Sequence, residues 1–325
     1  MRNGKQTAKY VLKRIILALI TAFIIMFISF VLIKMLQPET PMLGVEAENE
    51  MARRKALGYD KPVIVQFGIY LRNIFTDWDW GTSWEIAYMK PVDELISSRL
   101  TPTILLNVYS TILSIPIGIL LGVVAALNKN NGVDYFISTV VMIFVSVPSF
   151  VYAFLLQYLL GFRAGLLPIR VSSYYDAGNS YFTWTMFKSM IMPILSLSFG
   201  SIAGYARLTR AELTESLTSD YMLLARTKGL TKSQATVRHA LKNAMVPILP
   251  SIVASFLSVM AGSMVIEKIF SINGIGGLFI QSIQLRDYDV FTATTMFYAV
   301  IGLLANVIVD ISYGFLDPRI RVGER

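Results

Sequence analysis

The feature that most constrains this chain is a run of 19 residues, 15–33, without a single charged side chain. A helix of about 20 mostly apolar residues spans the ~30 Å hydrocarbon core of a bilayer while satisfying its backbone polar groups internally. Five more stretches have the same character: 103–127, 133–160, 187–209, 245–266 and 291–315. They carry Pro116, Pro148, Pro193, Pro247 and Pro250, which membrane helices tolerate where neighbouring groups re-satisfy the backbone. With 54% hydrophobic and 15% charged residues, the expectation is an all-α polytopic membrane protein of six transmembrane helices.

Arg2, Lys5, Lys9, Lys13 and Arg14 precede the first run, as in a secretory signal peptide. That run is too long for a signal core, and KMLQPETPM after it offers no small-x-small cleavage site, so an uncleaved span is expected. Cysteine is absent, which leaves neither disulfides nor thiolate metal sites. Six spans put both termini on one side. With that side cytoplasmic, the inner segments hold 16 of the 29 Lys/Arg but only six of the 21 acids. Eight of the other basic residues lie in the 34–99 stretch, where loop length weakens their influence on orientation. The positive-inside rule then favours N-in/C-in, and topology rather than nucleic acid accounts for the basic excess. Trp78, Trp80, Trp84 and Trp184 fall in outer loops, as interfacial anchors do.

The first outer loop has internal pattern. VEAENEMARRKALG reads as a short helix stopped at Gly58, and KPVIVQFGIYLRNIF places Val63, Phe67, Leu71 and Ile74 on one helical face. This second helix either lies on the membrane, capping the bundle, or meets an extracytoplasmic partner. Absences narrow the chemistry. There is no P-loop sequence. Asp310 is the only carboxylate deep in a span, and packing near the interface is favoured for it over proton relay. His239 lies with Arg238 and Lys242 rather than with a membrane-buried serine, which argues against a serine protease. No catalytic or metal-binding cluster is visible, so the chain is expected to conduct a solute on energy supplied elsewhere.

Between the fourth and fifth apolar stretches, YMLLARTKGLTKSQATVRHALKNAMVPILP carries five Lys/Arg and no acid. Ser219 or Asp220 caps a short helix over 221–228, and Gly229 supplies its left-handed stop. Thr231 and Gln234 match a capping box that starts a second helix. There Val237, Ala240, Leu241, Ala244 and Met245 share one face, with Arg238, His239, Lys242 and Asn243 opposite. On physical grounds two readings are equal: a rigid connector docked on a soluble partner, or an interfacial helix on anionic lipid. SINGIGGLF likewise has two readings. It is either a plain helix break after Glu267 or an outer gate built from Glu267, Asn273, Gly274, Gly276 and Gly277.

DYMLLARTKGLTKSQATVRHALKNAMVP resembles the cytoplasmic signature loop of ABC-importer permease subunits of the dipeptide/oligopeptide/nickel branch. The wider pattern, Glu-Ala-Ala, three residues, Gly, nine residues, Ile-x-Leu-Pro, is partly kept. Leu223-Leu224-Ala225 precedes Gly229 at the right spacing, while His239-Ala240-Leu241-Lys242 stands where Ile-x-Leu-Pro is expected. LGYDKPVIVQFGIYL resembles the B-type subunit of oligopeptide permeases. VIEKIFSINGIGGLFIQSIQLRDYDV and LLANVIVDISYGFLDPRIR are similar to the branch's segment after span 5 and its last span. The resemblance implies a type I ABC-importer permease fold, with 219–243 as coupling segment and Ala225, Arg226, Lys228, Gly229, Leu230, Arg238 and His239 at the ATPase contact. It implies a homologous second permease subunit, two cytoplasmic ABC ATPases that use ATP and Mg, and an extracytoplasmic substrate-binding protein. The chain itself would bind no cofactor and would sit in the bacterial cell membrane, in contact with lipid.

The expected organisation is a cytoplasmic N-terminus (1–14), a first span (15–36), an extracytoplasmic loop with short helices (37–100), a five-helix core (101–316) and a cytoplasmic tail (317–325). The expected function is half of a peptide translocation pathway lined mainly by spans 2 to 5. Import of nickel chelates or opines, and ion-coupled secondary transport, are the alternatives.

Overall fold

The computed structural model describes residues 2–36, 51, 52, 54, 55 and 58–316. Of the short helix expected before Gly58, residues 51, 52, 54 and 55 are helical and Gly58 takes φ +70°; the rest of it, and the 317–325 tail, lie outside the described residues. Helices dominate: α1 (Arg2–Leu36), α2 (Val63–Asp77), α3 (Val92–Leu127), α4 (Gly132–Ser146), α5 (Ser149–Leu156), α6 (Trp184–Leu217), α7 (Asp220–Thr227), α8 (Lys232–Ala235), α9 (Lys242–Ser258), α10 (Met264–Ile269), α11 (Ile275–Leu285) and α12 (Tyr288–Leu316). A two-residue antiparallel ladder, β1 (Thr82–Ser83) with β2 (Lys90–Pro91), is set with Thr82 opposite Pro91.

Among the described residues, five segments are long and apolar enough to cross a membrane: Val11–Leu36, Val92–Leu127, Trp184–Leu217, Lys232–Ser258 and Tyr288–Ser312. The apolar stretch at 133–160 is not the single straight span its composition suggests. It is two helices, Gly132–Ser146 and Ser149–Arg163, bent by 97°. Pro148 is the cause. Its ring pushes Val147 out of the helical region, to φ −94° and ψ 125°, and Pro148 then caps α5. The fifth span is also displaced. It ends at Ser258 rather than running to 266, because Gly262 at φ +65° separates it from α10. At its other end α8, a wide π turn (Thr236–Leu241) and α9 form one continuous helix.

The chain forms two compact units. One comprises Met1–Thr101 with Gly274–Val307. Its interior has two apolar clusters, one around Val92, Leu95, Ile275, Leu278 and Val290, the other around Phe30, Phe67, Tyr70, Ile74 and Met296. As expected, Phe67 and Ile74 are buried and Val63 and Leu71 pack beside them; Tyr70 joins that face. Burial, then the carboxylates of Asp289 and Asp79, hold the Tyr70 phenol well above its ordinary pKa. The 83–86 turn is anchored by buried Asp287, whose Oδ2 accepts from Ser83 Oγ (2.6 Å) and from the Trp84, Glu85 and Ile86 amides (3.1 Å each).

The other unit comprises Pro102–Asn273 with Ile308–Arg325. Its frame is the α3–α6 contact, made along residues four apart: Ser110, Ser114, Gly118 and Gly122. Ser110 and Ser198 share a 3.2 Å hydroxyl contact. A Cβ at Gly118 would lie 2.8 Å from the Ile202 carbonyl oxygen, and one at Gly122 2.6 Å from that of Ala206. Two membrane helices lack a hydrophobic drive to associate in lipid, so such close backbone contact is what holds them.

Candidate functional site

The basic segment folds as its local sequence dictates. α7 ends in a Schellman motif: the Leu230 amide donates to Ala225 O (3.3 Å), the Gly229 amide donates to Arg226 O (3.0 Å), and Gly229 sits at φ +87°. After this turn Thr231 Oγ1 accepts from the Gln234 amide (3.3 Å) while Gln234 Oε1 accepts from the Thr231 amide (3.1 Å), completing the capping box. The two helices meet at a reverse turn stabilised on both sides.

That turn is fixed to the end of α6 by small side chains. Met222, Ala225, Ala235, Ala240 and Ala244 pack with Leu213 and Ala126, and the alanines let the helices approach closely. Ser216 Oγ donates to Ala240 O (2.8 Å) and is hydrogen-bonded to the Tyr221 hydroxyl. Burial alone would raise the Tyr221 phenol, but hydrogen bonds with Ser216, Ser219 and Asn243 together bring it below its ordinary pKa.

The structure sorts the proposed contact residues. Arg226, Lys228, Gly229, Arg238 and His239 are exposed, and Leu230 is half-buried. Ala225 is buried, as a prop beneath the turn rather than part of its surface. The buried face of the second helix is Ala235, Thr236, Ala240 and Ala244, whereas Val237 is 60% exposed. The face expected from a uniform 3.6-residue period was displaced by the π turn, which inserts an extra residue per turn. Leu223 and Leu224 are also exposed, so the outer surface combines cations with aliphatic groups. Their place within the Glu-Ala-Ala-like triplet was the sequence signal for them.

One ion pair buttresses the frame beside the basic segment. Asp134, at the start of α4, is buried and receives both Nε (2.6 Å) and Nη2 (2.7 Å) of Arg210 on α6. The Asn130 amide also donates to it (2.9 Å). A planar guanidinium and a carboxylate joined by two parallel bonds fix orientation as well as distance.

A second feature lies among the apolar helices. Residues of α3 (Asn107, Ser110, Thr111), α6 (Leu197, Ser201) and the end of α9 (Ala254, Ser255, Ser258, with Val259 following) line a groove of about 240 Å³. Six of the nine lining residues bear a hydroxyl or amide and none is charged, an unusual lining for helices that otherwise read as membrane spans. Ser255 Oγ is held 2.7 Å from the Tyr205 hydroxyl. Sequence reasoning missed this groove, because its polar residues are isolated within three separate helices.

Glu267 is fully buried and its Oε1 accepts from Thr103 Oγ1 (2.8 Å). Asn273 is exposed in the same unit, while Gly274 caps α11 and Gly276 and Gly277 lie in its first turn, in the other unit. Asp310 is half-buried on α12.

Comparison with known proteins agrees with this arrangement. Residues 118–322 match the family described as binding-protein-dependent transport system inner membrane component, and residues 7–88 match the N-terminal model of such components. The dipeptide transport system permease protein of Lactococcus lactis is 37% identical over 97% of this chain and 99% of its own. Its counterpart from Bacillus subtilis is 34% identical over 98% and 99%, and the oligopeptide permease of Haemophilus influenzae 33% over 96% and 99%. The chain therefore belongs to the family of binding-protein-dependent transport system inner membrane components, and is a multi-pass protein of the bacterial inner membrane.

Proposed function

We propose that this chain is one permease subunit of an ATP-driven importer of peptides. The observation that carries this reading is the connector: a turn locked by a Schellman motif and a capping box, propped on α6, presenting Leu223, Leu224, Arg226, Lys228 and Arg238 outward. Such an element transmits displacement to the two spans it joins instead of absorbing it. In this reading it docks on a cytoplasmic ATPase, a pair of ATPases binds and hydrolyses ATP with Mg, and closure of that pair moves α6 and α9. A second, homologous permease subunit completes the pathway, and an extracytoplasmic binding protein delivers the cargo. The chain lies N-in/C-in.

The relatives named for dipeptides and oligopeptides, and one named for glutathione at 32% identity, support peptide cargo. The groove's chemistry agrees with it. Peptides share one N–H and one C=O per residue whatever their side chains, and hydroxyls and amides can donate to and accept from both. An uncharged lining favours no cargo charge, which leaves selection to the binding protein. In this reading Glu267, whose Oε1 accepts from Thr103 Oγ1, is the residue through which an outer gate would act.

The test is affinity purification of tagged chain from native membranes in mild detergent, with co-purifying proteins identified by mass spectrometry. Two P-loop ATPases and a second homologous membrane protein are expected. Recovery of the chain alone, in a form that moves solute without ATP, refutes the proposal.

A further inference from the structure

We propose that the groove between α3, α6 and α9 seats the amino end of a peptide rather than its carboxylate, on the reading that peptides are the cargo. The preference comes from where the hydrogens of the lining go. A hydroxyl has one hydrogen to donate and two lone pairs that accept. A serine on a helix commonly spends that hydrogen on a carbonyl of the preceding turn. Its oxygen is then left outward as an acceptor only.

Ser258 Oγ donates to Ala254 O (2.9 Å). Ser198, behind the lining, gives its hydrogen to Ile194 O (2.7 Å), so its 3.2 Å contact with Ser110 is filled by the Ser110 hydrogen. In the same way Tyr205 Oη donates to Ser251 O (3.1 Å), and its 2.7 Å contact with Ser255 is filled by the Ser255 hydrogen. Asn107 is oriented by its Nδ2, which donates to Thr103 O (2.8 Å) and leaves Oδ1 on the far side of the amide. Ser201, 3.5 Å from Leu197 O, holds its hydrogen loosely. Ser201, Thr111 and the second Asn107 N–H are therefore the donors left, whereas all six polar residues present an acceptor oxygen.

The two ends of a peptide use such a lining differently. An ammonium has three N–H donors and no acceptor, while a carboxylate has acceptors only. The ammonium can be ringed by the lining oxygens. A carboxylate would face their lone pairs, with no Lys, Arg or His in the lining to offset the loss of its water. Because every peptide carries both ends, this orients the cargo without selecting its net charge or its side chains. Asn107 also ties the groove to the candidate gate, since the Thr103 that accepts from its Nδ2 donates through Oγ1 to Glu267 (2.8 Å).

The test is equilibrium binding of radiolabelled trialanine to the full chain, with the subunits that co-purify, in lipid nanodiscs without binding protein or ATP. Unlabelled N-acetyl-trialanine and trialanine amide are the competitors. The amide is expected to compete as well as trialanine, and the acetylated peptide about tenfold less well or worse, since it has lost the hydrogen bonds of a charged donor. Asn107→Leu should bring trialanine down towards the acetylated peptide. Ser258→Asp, at an exposed groove position, should tighten trialanine but not the acetylated peptide, a gain that misfolding cannot produce. Equal competition by the acetylated peptide, weaker competition by the amide, or no effect of either substitution overturns the proposal. So does the absence of saturable trialanine binding. In that case peptide uptake by the same preparation, dependent on ATP and binding protein, shows that the importer reading survives, and loss of uptake as well shows that it does not.

Discussion

Gly229 makes the sharpest demand at the scale of a residue. Its φ of +87° is a region where a Cβ costs about 1–2 kcal/mol, yet no atom lies within 4 Å of the place that Cβ would occupy. The constraint is thus conformational, not steric. Gly229→Val is expected to insert at wild-type abundance but to lose peptide uptake, while Gly229→Asn, which tolerates left-handed geometry, retains most of it; uptake assays normalised to membrane abundance decide this. Gly122 is constrained in the opposite way, by space, since a Cβ there meets Thr209 Cβ at 2.5 Å. Gly122→Leu should therefore destabilise the protein by about 1–3 kcal/mol, seen as a lower melting temperature in detergent. Gly229 and the Thr231/Gln234 cap were legible in the sequence because their signals are local. Ala225 and Val237 were not, because burial there depends on a π turn and on the facing helix end.

At the scale of elements, Asp134 and Arg210 join the start of α4 to the C-terminal part of α6. Asp134 is buried but the Arg210 side chain is 35% exposed and can regain water, so losing the pair is expected to cost about 1–3 kcal/mol rather than the cost of a fully enclosed one. Asp134→Leu should lower the thermal unfolding midpoint markedly, and Asp134→Leu combined with Arg210→Met should recover much of the loss. Equal midpoints for the single and double variants would show that the pair is not coupled. Hydropathy identified where the apolar helices lie, but not their direction. It joined α4 and α5 because composition does not register the turn that Pro148 imposes, and it carried the fifth span past Ser258 because Gly262 is small and apolar.

At the scale of the whole molecule, the groove and the connector belong to the same helices: α6 and α9 line the first and flank the second. Filling the groove should therefore stop transport without disturbing ATPase docking. Ser201→Trp, at an exposed groove position, is expected to abolish uptake while the co-purified ATPases are recovered at wild-type level. The membrane class and the local fold of the basic segment were readable in the chain because each is written in contiguous residues. The groove was not, since single hydroxyls on three helices become a site only when the helices pack. The most direct measurement is uptake of a labelled peptide by proteoliposomes containing the co-purified complex, with the binding protein outside and ATP inside. Uptake that needs both ATP and the binding protein is predicted. Uptake that persists without ATP and follows an ion gradient would contradict the central claim.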